Sequence, residues 1–357
     1  MPPTPGWRVD RVRDVTLAIR RRTPGSGVHV SYARYVPHAR ARSGWPPGRA
    51  RTVRRSRTPL ALLAAAALAA VALVGCGGDD PRALQVVSLG DSLAVGVQPS
   101  LLGSGTETRQ GYPRQFARAL RDEGRAVQLH ELGCGAATSA SVLSGGRPCA
   151  PERDAPYANQ DPTTSQAAYA EGLLSRLGDR RRVVLVDIGG NDVGACFSGG
   201  RIVPGCFAKA GAALRRNLDE LLERLRAAAP KVPIGVLNLY DPLLGLWDDH
   251  PEARPVLQRE HRTFLREINR TIADAAARHD AVLVDLADAM DQNVPFRAAD
   301  RDRPPAVQAV CDLTWMCVRA PRVPDIHLRA AGYRVAADAA RRVLLPLLPS
   351  RPPAPRR

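Results

Sequence analysis

The stretch Leu84-Gln85-Val86-Val87-Ser88-Leu89-Gly90-Asp91-Ser92-Leu93 carries the reading of the fold. An apolar run broken only by Gln85 and Ser88, and closed by glycine, has the pattern of a strand buried on both faces. A serine placed where such a strand gives way to a turn presents its Oγ at the carboxyl end of a sheet, where open α/β folds hold their ligands. Gly-Asp-Ser also marks ordinary turns, and Asp91 is read as bonding its own backbone there, with no chemistry assigned to it. The weight therefore falls on two distant segments. Ile188-Gly189-Gly190-Asn191-Asp192 closes a second apolar run, Val183 to Ile188, and Asp325-Ile326-His327 precedes a helical pattern near the carboxyl terminus. A nucleophile, a side-chain amide and an imidazole are the parts of an acyl-transfer site.

Further strand candidates are Val127–Leu132, Ile234–Leu239 and Ala281–Leu286. Between the strands lie helical patterns over Pro113–Glu123, Thr164–Leu177, Ala208–Ala229 and Pro255–His279, with a last one over Ala330–Leu345. This alternation predicts a three-layer α/β/α sandwich around a central, mostly parallel sheet of about five strands, flavodoxin-like, with right-handed crossovers. Two segments interrupt the alternation, Ser144–Pro162 and Ala287–Pro324. Both are rich in Pro, Asp, Arg and Gly and are expected to be long and irregular, either as walls over the site or as plain surface insertions.

The formal charge of +16 suggests a nucleic-acid partner only until it is located. Residues 1–75 hold fourteen arginines against Asp10 and Asp14, so they account for +12 and leave +4 for residues 76–357. No arginine cluster interleaved with aromatics lies in the body of the chain, and a nucleic-acid partner is set aside. Arg54-Arg55-Ser56-Arg57 precedes an apolar run from Leu60 to Val74, too short for a membrane span and suited to a secretory signal. The run ends in Leu73-Val74-Gly75-Cys76, similar to a bacterial lipobox, which makes Cys76 the expected lipidated residue. The chain thus divides into residues 1–52, a disordered extension or a start placed too early; 53–75, the signal; 76–82, a tether; 83–348, one catalytic domain; and 349–357, a disordered tail. An extracytoplasmic location follows, anchored to the outer face of a bacterial membrane or secreted. The six cysteines other than Cys76 fall as close pairs, Cys134 with Cys149, Cys196 with Cys206 and Cys311 with Cys317, and read as disulfides. No paired Cys-x-x-Cys spacing completes a metal site, so neither metal nor cofactor is expected.

The blocks around Ser92, Asn191 and His327, in that order, resemble those of the SGNH or GDSL family of serine esterases and lipases, in particular a secreted bacterial subgroup with three disulfides. The resemblance runs from about Leu84 to about Leu345 and implies that Ser92 is the nucleophile and His327 the general base. It further implies that Asn191 and the backbone N–H groups of Ser92 and Ala136 form an oxyanion hole. Two positions depart from the family pattern. Gly133-Cys134-Gly135-Ala136-Ala137-Thr138 puts alanine where the family has glycine. That residue serves through its N–H, so alanine is acceptable at ordinary dihedrals and strained at positive φ, with Gly135 the alternative donor. Pro324 stands three residues before His327, where an acid is commoner, so the acid is Asp325 or a backbone carbonyl replaces it.

The implied activity is hydrolysis of a small-molecule or lipid ester by a monomer, through an acyl-enzyme on Ser92, with a helix following Ser92 adding its dipole. A carbohydrate O-deacetylase of the same fold and a catalytically inactive binding lipoprotein are the alternatives. Tyr240 and Trp315 are read either as lining an acyl pocket or as core residues.

Overall fold

A computed structural model describes residues 7–12, 16–21, 82–100, 105–145, 164–194, 196–198, 201–203, 205–297 and 303–348. The signal, Cys76, nearly all of the tether and the carboxyl-terminal tail lie outside the described residues, as do Cys149 and residues 146–163 of the first irregular segment. Within residues 1–52, Trp7–Val12 pairs antiparallel with Thr16–Arg21, and Ala18 pairs with Arg201. Val9, Val12, Thr16 and Ile19 in these two segments are strand formers.

The central sheet has five strands: β1 (Leu84–Gly90), β2 (Val127–Glu131), β3 (Arg182–Asp187), β4 (Ile234–Leu237) and β5 (Val282–Val284). Their order is β5-β4-β3-β1-β2 and every pairing is parallel. The chain steps from β1 outward to β2 and then returns to β3 on the other side, which opens a crevice at the carboxyl ends of β1 and β3. Gly90 and Asp187 face each other across it as register partners. β1 is buried along its whole length, as a strand covered on both faces must be.

Alternate residues of the strands feed two separate cores. Val87, Leu89, Val184, Val186, Ile234 and Val236 pack under α3 (Gln166–Leu177), α5 (Cys206–Ala228) and α7 (Arg270–Arg278). Leu84, Val86, Val183, Leu185, Leu237 and Val284 pack under α1 (Tyr112–Asp122), α9 (Pro305–Leu313) and α10 (Ala330–Leu344). The expected three-layer sandwich is what the chain forms, and each expected strand lies within three residues of its observed ends.

Two regions differ from the sequence reading. The single helical pattern Pro255–His279 is realised as α6 (Arg254–Phe264), a π turn over Leu265–Asn269, and α7. The wide turn aims Asn269 at the end of β4, where its side chain accepts from the Leu239 N–H at 3.1 Å and donates to the Leu239 carbonyl at 2.7 Å. Ala287–Pro324, expected to be irregular, contains α9 and the strand β6 (Thr314–Trp315), which pairs antiparallel with β7 (Asp325–Leu328). Only one short apolar face, Ala306, Val307, Val310 and Cys311, marks α9, and Pro, Arg and Asp on either side hide it. Disulfides Cys196–Cys206 and Cys311–Cys317 form as expected, with Cα separations of 5.3 and 4.9 Å.

A buried polar knot fastens the segment after β4 to α6. His261, 2 % exposed, places Nδ1 3.1 Å from Asp241 Oδ2 and Nε2 2.9 Å from the Gln292 carbonyl. Both partners accept only, so both ring nitrogens carry hydrogen and the ring is an imidazolium. Burial works against that charge, but the Asp241 hydrogen bond and charge, with the Gln292 carbonyl, raise the His261 pKa. A raised folded-state pKa contributes stability that is complete below the unfolded value of about 6.5 and fades as pH rises through the folded value. The stability difference between wild type and His261→Gln, measured by urea unfolding, should therefore be largest near pH 6 and shrink on going alkaline. A difference that does not change with pH would contradict the imidazolium.

Candidate active site

The crevice is built around Gly90. Its backbone is clamped by the buried side chain of Gln166, the first residue of α3, which accepts from the Gly90 N–H at 2.8 Å and donates to its carbonyl at 2.9 Å. The Gly90 carbonyl also accepts from the Cys134 N–H at 3.1 Å, which ties the turn that carries Ser92 to the loop after β2. A side chain at Gly90 would overlap the Asp187 carboxyl, and its φ of +157° adds to the demand for glycine. Residues 91–96 continue as consecutive turns, with Val97 N–H donating to the Ser92 carbonyl at 3.0 Å. The expected helix does not follow Ser92 directly; among the described residues the next helix, α1, begins at Tyr112.

Asp91 does bond within its own turn, accepting from the Leu93 N–H at 3.0 Å. It also reaches Asn191, whose Nδ2 donates to Asp91 Oδ2 at 3.3 Å and to the Ala137 carbonyl at 2.8 Å. Asn191 lies in the short helix α4 (Gly190–Gly194) that follows β3. Its neighbour Asp192 accepts from the Ser139 N–H at 2.9 Å and the Ser139 hydroxyl at 2.5 Å, and so holds the start of α2 (Ser139–Ser144) beside α4. These bonds fix the loop 133–138 against the turn that carries Ser92.

His327 and Asp325 sit on β7. Asp325 Oδ1 accepts from the His327 backbone N–H at 2.8 Å and lies 2.7 Å from His327 Nδ1. Burial pushes the Asp325 pKa up, but the His327 hydrogen bond and charge outweigh it and hold the carboxyl below the ordinary carboxylate range. β7 is held from behind by Tyr240, whose hydroxyl donates to the Ile326 carbonyl.

Ser92, Asn191 and His327 share the wall of one cavity of about 80 Å³. Its remaining surface is mostly apolar, from Leu93, Val193, Phe207, Leu239, Leu243 and Phe264. Phe207 and Phe264 meet edge to face, 6.3 Å between centroids, and Phe207 follows directly on the bridged Cys206. Tyr240 also lines the cavity, whereas Trp315 is not part of its wall: its indole N–H donates to Gln98 Oε1 at 3.0 Å, with Arg322 and Arg329 on its ring. Gln166 and Asp187 are the supporting residues that sequence reasoning missed. The first lies in an unremarkable helix start; the second is an acid inside an apolar run and is the better signal of the two.

Ala136 adopts φ +64°, the left-handed region that its type disfavours. The Gly135 N–H is taken by Glu107 Oε1 at 3.1 Å, while that of Ala136 has no acceptor among the described residues. Gly135 is thereby the poorer candidate donor.

A family model described as GDSL-like Lipase/Acylhydrolase matches residues 88–335. No curated protein sequence matches the chain. Among solved structures, an extracellular lipase from Streptomyces rimosus is 20 % identical, with 73 % of this chain and 99 % of that one covered and a TM-score of 0.43. Phospholipase A1 from Streptomyces albidoflavus NA297 is 21 % identical, covering 72 % and 98 %, with a TM-score of 0.39. A family 3 carbohydrate esterase from Clostridium thermocellum is 16 % identical, covering 74 % and 97 %, with a TM-score of 0.39.

The strain at Ala136 is directly measurable. Left-handed backbone costs an L-residue about 1–2 kcal/mol, part of which glycine returns through its freer unfolded chain. Ala136→Gly should raise stability by up to about 1 kcal/mol in chemical denaturation. A loss of stability would show that the alanine methyl packs usefully.

Proposed function

The chain belongs to the GDSL-like lipase/acylhydrolase family and is a hydrolase, and from that premise we propose that it is a serine esterase acting on carboxylic esters with an aliphatic acyl group. One observation carries the reading: Ser92, Asn191 and the hydrogen-bonded pair His327–Asp325 converge from β1, α4 and β7 on a single apolar cavity. In the proposed reaction His327 Nε2 takes the Ser92 proton as Oγ bonds to the ester carbonyl carbon. The carbonyl π electrons move onto oxygen, which is met by Asn191 Nδ2–H and the N–H groups of Ser92 and Ala136. Collapse expels the alkoxide, which takes the proton from His327, and water repeats the cycle on the acyl-enzyme. Asp325 holds Nδ1–H of the ring and stabilises the imidazolium.

Apolar lining favours an alkyl chain over the acetyl group of a carbohydrate ester, since each buried methylene contributes about 0.8 kcal/mol. With p-nitrophenyl esters, turnover should rise from acetate to a maximum at roughly four to eight carbons, the length such a cavity encloses. Ser92→Ala should lower it by about four orders of magnitude or more and abolish labelling by a fluorophosphonate. Turnover of acetate alone would replace this reading with a deacetylase, and no turnover at all would leave a binding protein.

We also infer an extracytoplasmic site of action. Two disulfides form between local cysteines, and no described helix is long and apolar enough to cross a membrane. Leu73-Val74-Gly75-Cys76 supplies the proposed anchor. A diacyl chain on Cys76 holds a domain stably on a bilayer, so Cys76→Ser should move the protein out of the membrane fraction or leave it unprocessed. Recovery of the wild type with residues 1–75 still attached would refute lipidation.

A further inference from the structure

Behind Ser92 lies a second pair of acids that the proposed mechanism does not use. Asp91 is 3 % exposed and Asp187 not at all, and the Asp91 N–H points at Asp187 Oδ2 from 3.5 Å. We propose that Asp91 and Asp187 form one carboxyl pair sharing a single proton, with ionised Asp91 as a positioning residue that orients the Asn191 amide and sets negative charge facing His327. This rests on the reading of Ser92 as nucleophile and His327 as base.

Counting donors decides which member is ionised. Asp91 accepts from the Leu93 N–H through one oxygen and from Asn191 Nδ2 through the other. Asp187 Oδ1, packed where a Gly90 side chain would be, has no hydrogen-bond partner. Asp91 has an N–H donor on each oxygen, whereas Asp187 has the long 3.5 Å contact from the Asp91 N–H on Oδ2 and the Tyr112 phenol beside it, so Asp91 carries the charge and Asp187 keeps the proton and donates it to its neighbour. Two adjacent buried carboxylates cannot both ionise, and such a pair titrates as a unit. Burial raises both groups, Asp91 to about 6 and Asp187 well above the ordinary range, in agreement with the count.

The charged and titratable groups facing the pair are few. Asp192 from α4 opposes the charge on Asp91, and His327 from β7 favours it. The buried phenols of Tyr112 from α1, beside Asp187, and Tyr333 from α10 stay neutral, and Asp325 is paired with His327 Nδ1. During attack on an ester the pair gains and loses no proton. Its single charge steadies the imidazolium formed when His327 takes the Ser92 proton, as a second carboxylate behind Asp325. The 3.3 Å bond from Asn191 is the longer of that amide's two, so a developing oxyanion can share its hydrogen while the Ala137 carbonyl keeps the amide plane in place.

The test is the pH dependence of fluorophosphonate labelling of the full chain, which requires His327 as neutral base and no knowledge of the substrate. Without the Asp91 charge the imidazolium is less stable, so the base stays neutral to lower pH. Asp91→Asn, shown folded by its thermal melt, should label about tenfold more slowly at its plateau, with its half-maximal pH lower by about one unit. Asp187→Asn leaves the charge on Asp91 and should keep the half-maximal pH of the wild type, whatever its plateau rate. An unmoved midpoint in Asp91→Asn overturns the proposal. A midpoint that moves in Asp187→Asn also overturns it, and if Asp91→Asn does not fold, Asp91→Ser takes its place with the same expected shift and the same overturning result. Failure of the underlying reading looks different: Ser92→Ala would still be labelled.

Discussion

Everything at the site hangs on the absence of a side chain at Gly90. That gap lets the Asp187 carboxyl press against the last residue of the central strand, whose own N–H and carbonyl are both bonded by Gln166. A buried peptide at the end of a strand has lost its ladder partners, and leaving its N–H and carbonyl unpaired would cost several kcal/mol. One glutamine satisfies both. The direction of the turn that follows, and hence of Ser92, is set by hydrogen bonds of known length rather than by a flexible loop. Any residue larger than glycine at this point would overlap Asp187 and force it to shift.

The proposed catalytic parts come from segments with no sequence proximity, and each is fastened by a different device. Asn191 is tied to Asp91 and Ala137, the loop 133–138 to Asp192 and to the Gly90 carbonyl, and β7 to Tyr240. Disulfides staple the two flanks. Cys196–Cys206 closes the α4 to α5 connection just before Phe207 of the cavity wall, and Cys311–Cys317 closes α9 onto β6, the partner of β7. Loops this short give about 2–3 kcal/mol each by restricting the unfolded chain. Both bridges therefore stiffen walls of the cavity rather than the sheet, whose two cores already hold it.

Much of this was legible in the sequence, for a physical reason: strands covered on both faces are uninterrupted apolar runs, and their ends mark where ligands go. Leu84–Leu89 and Val183–Ile188 located the crevice, and the polar residues after them located Ser92 and Asn191. Less visible were elements stabilised by their surroundings. The segment α9 has four buried residues amid Pro and Arg, and β7 owes its strand form to pairing with two residues of β6. Gln166 had no pattern to betray it, since its partners are backbone atoms far away in sequence. Ala136 marked the limit of type-based reasoning: its identity argued for ordinary dihedrals, and the surrounding loop imposes φ +64° regardless.

Asp187 illustrates how a buried charge acquires meaning. An acid within a central parallel strand opposes the stability of the sheet, because burial penalises its ionised form. It is tolerated here as a protonated group beside Asp91, beneath the one turn where Ser92 must be held. Hydrophobic replacement would remove the penalty but leave the Asp91 N–H without its partner and Asp91 without a proton donor. The cost borne by β3 and the geometry of the nucleophile turn are thus linked. Stability given up at the carboxyl end of a strand becomes order where the chemistry takes place.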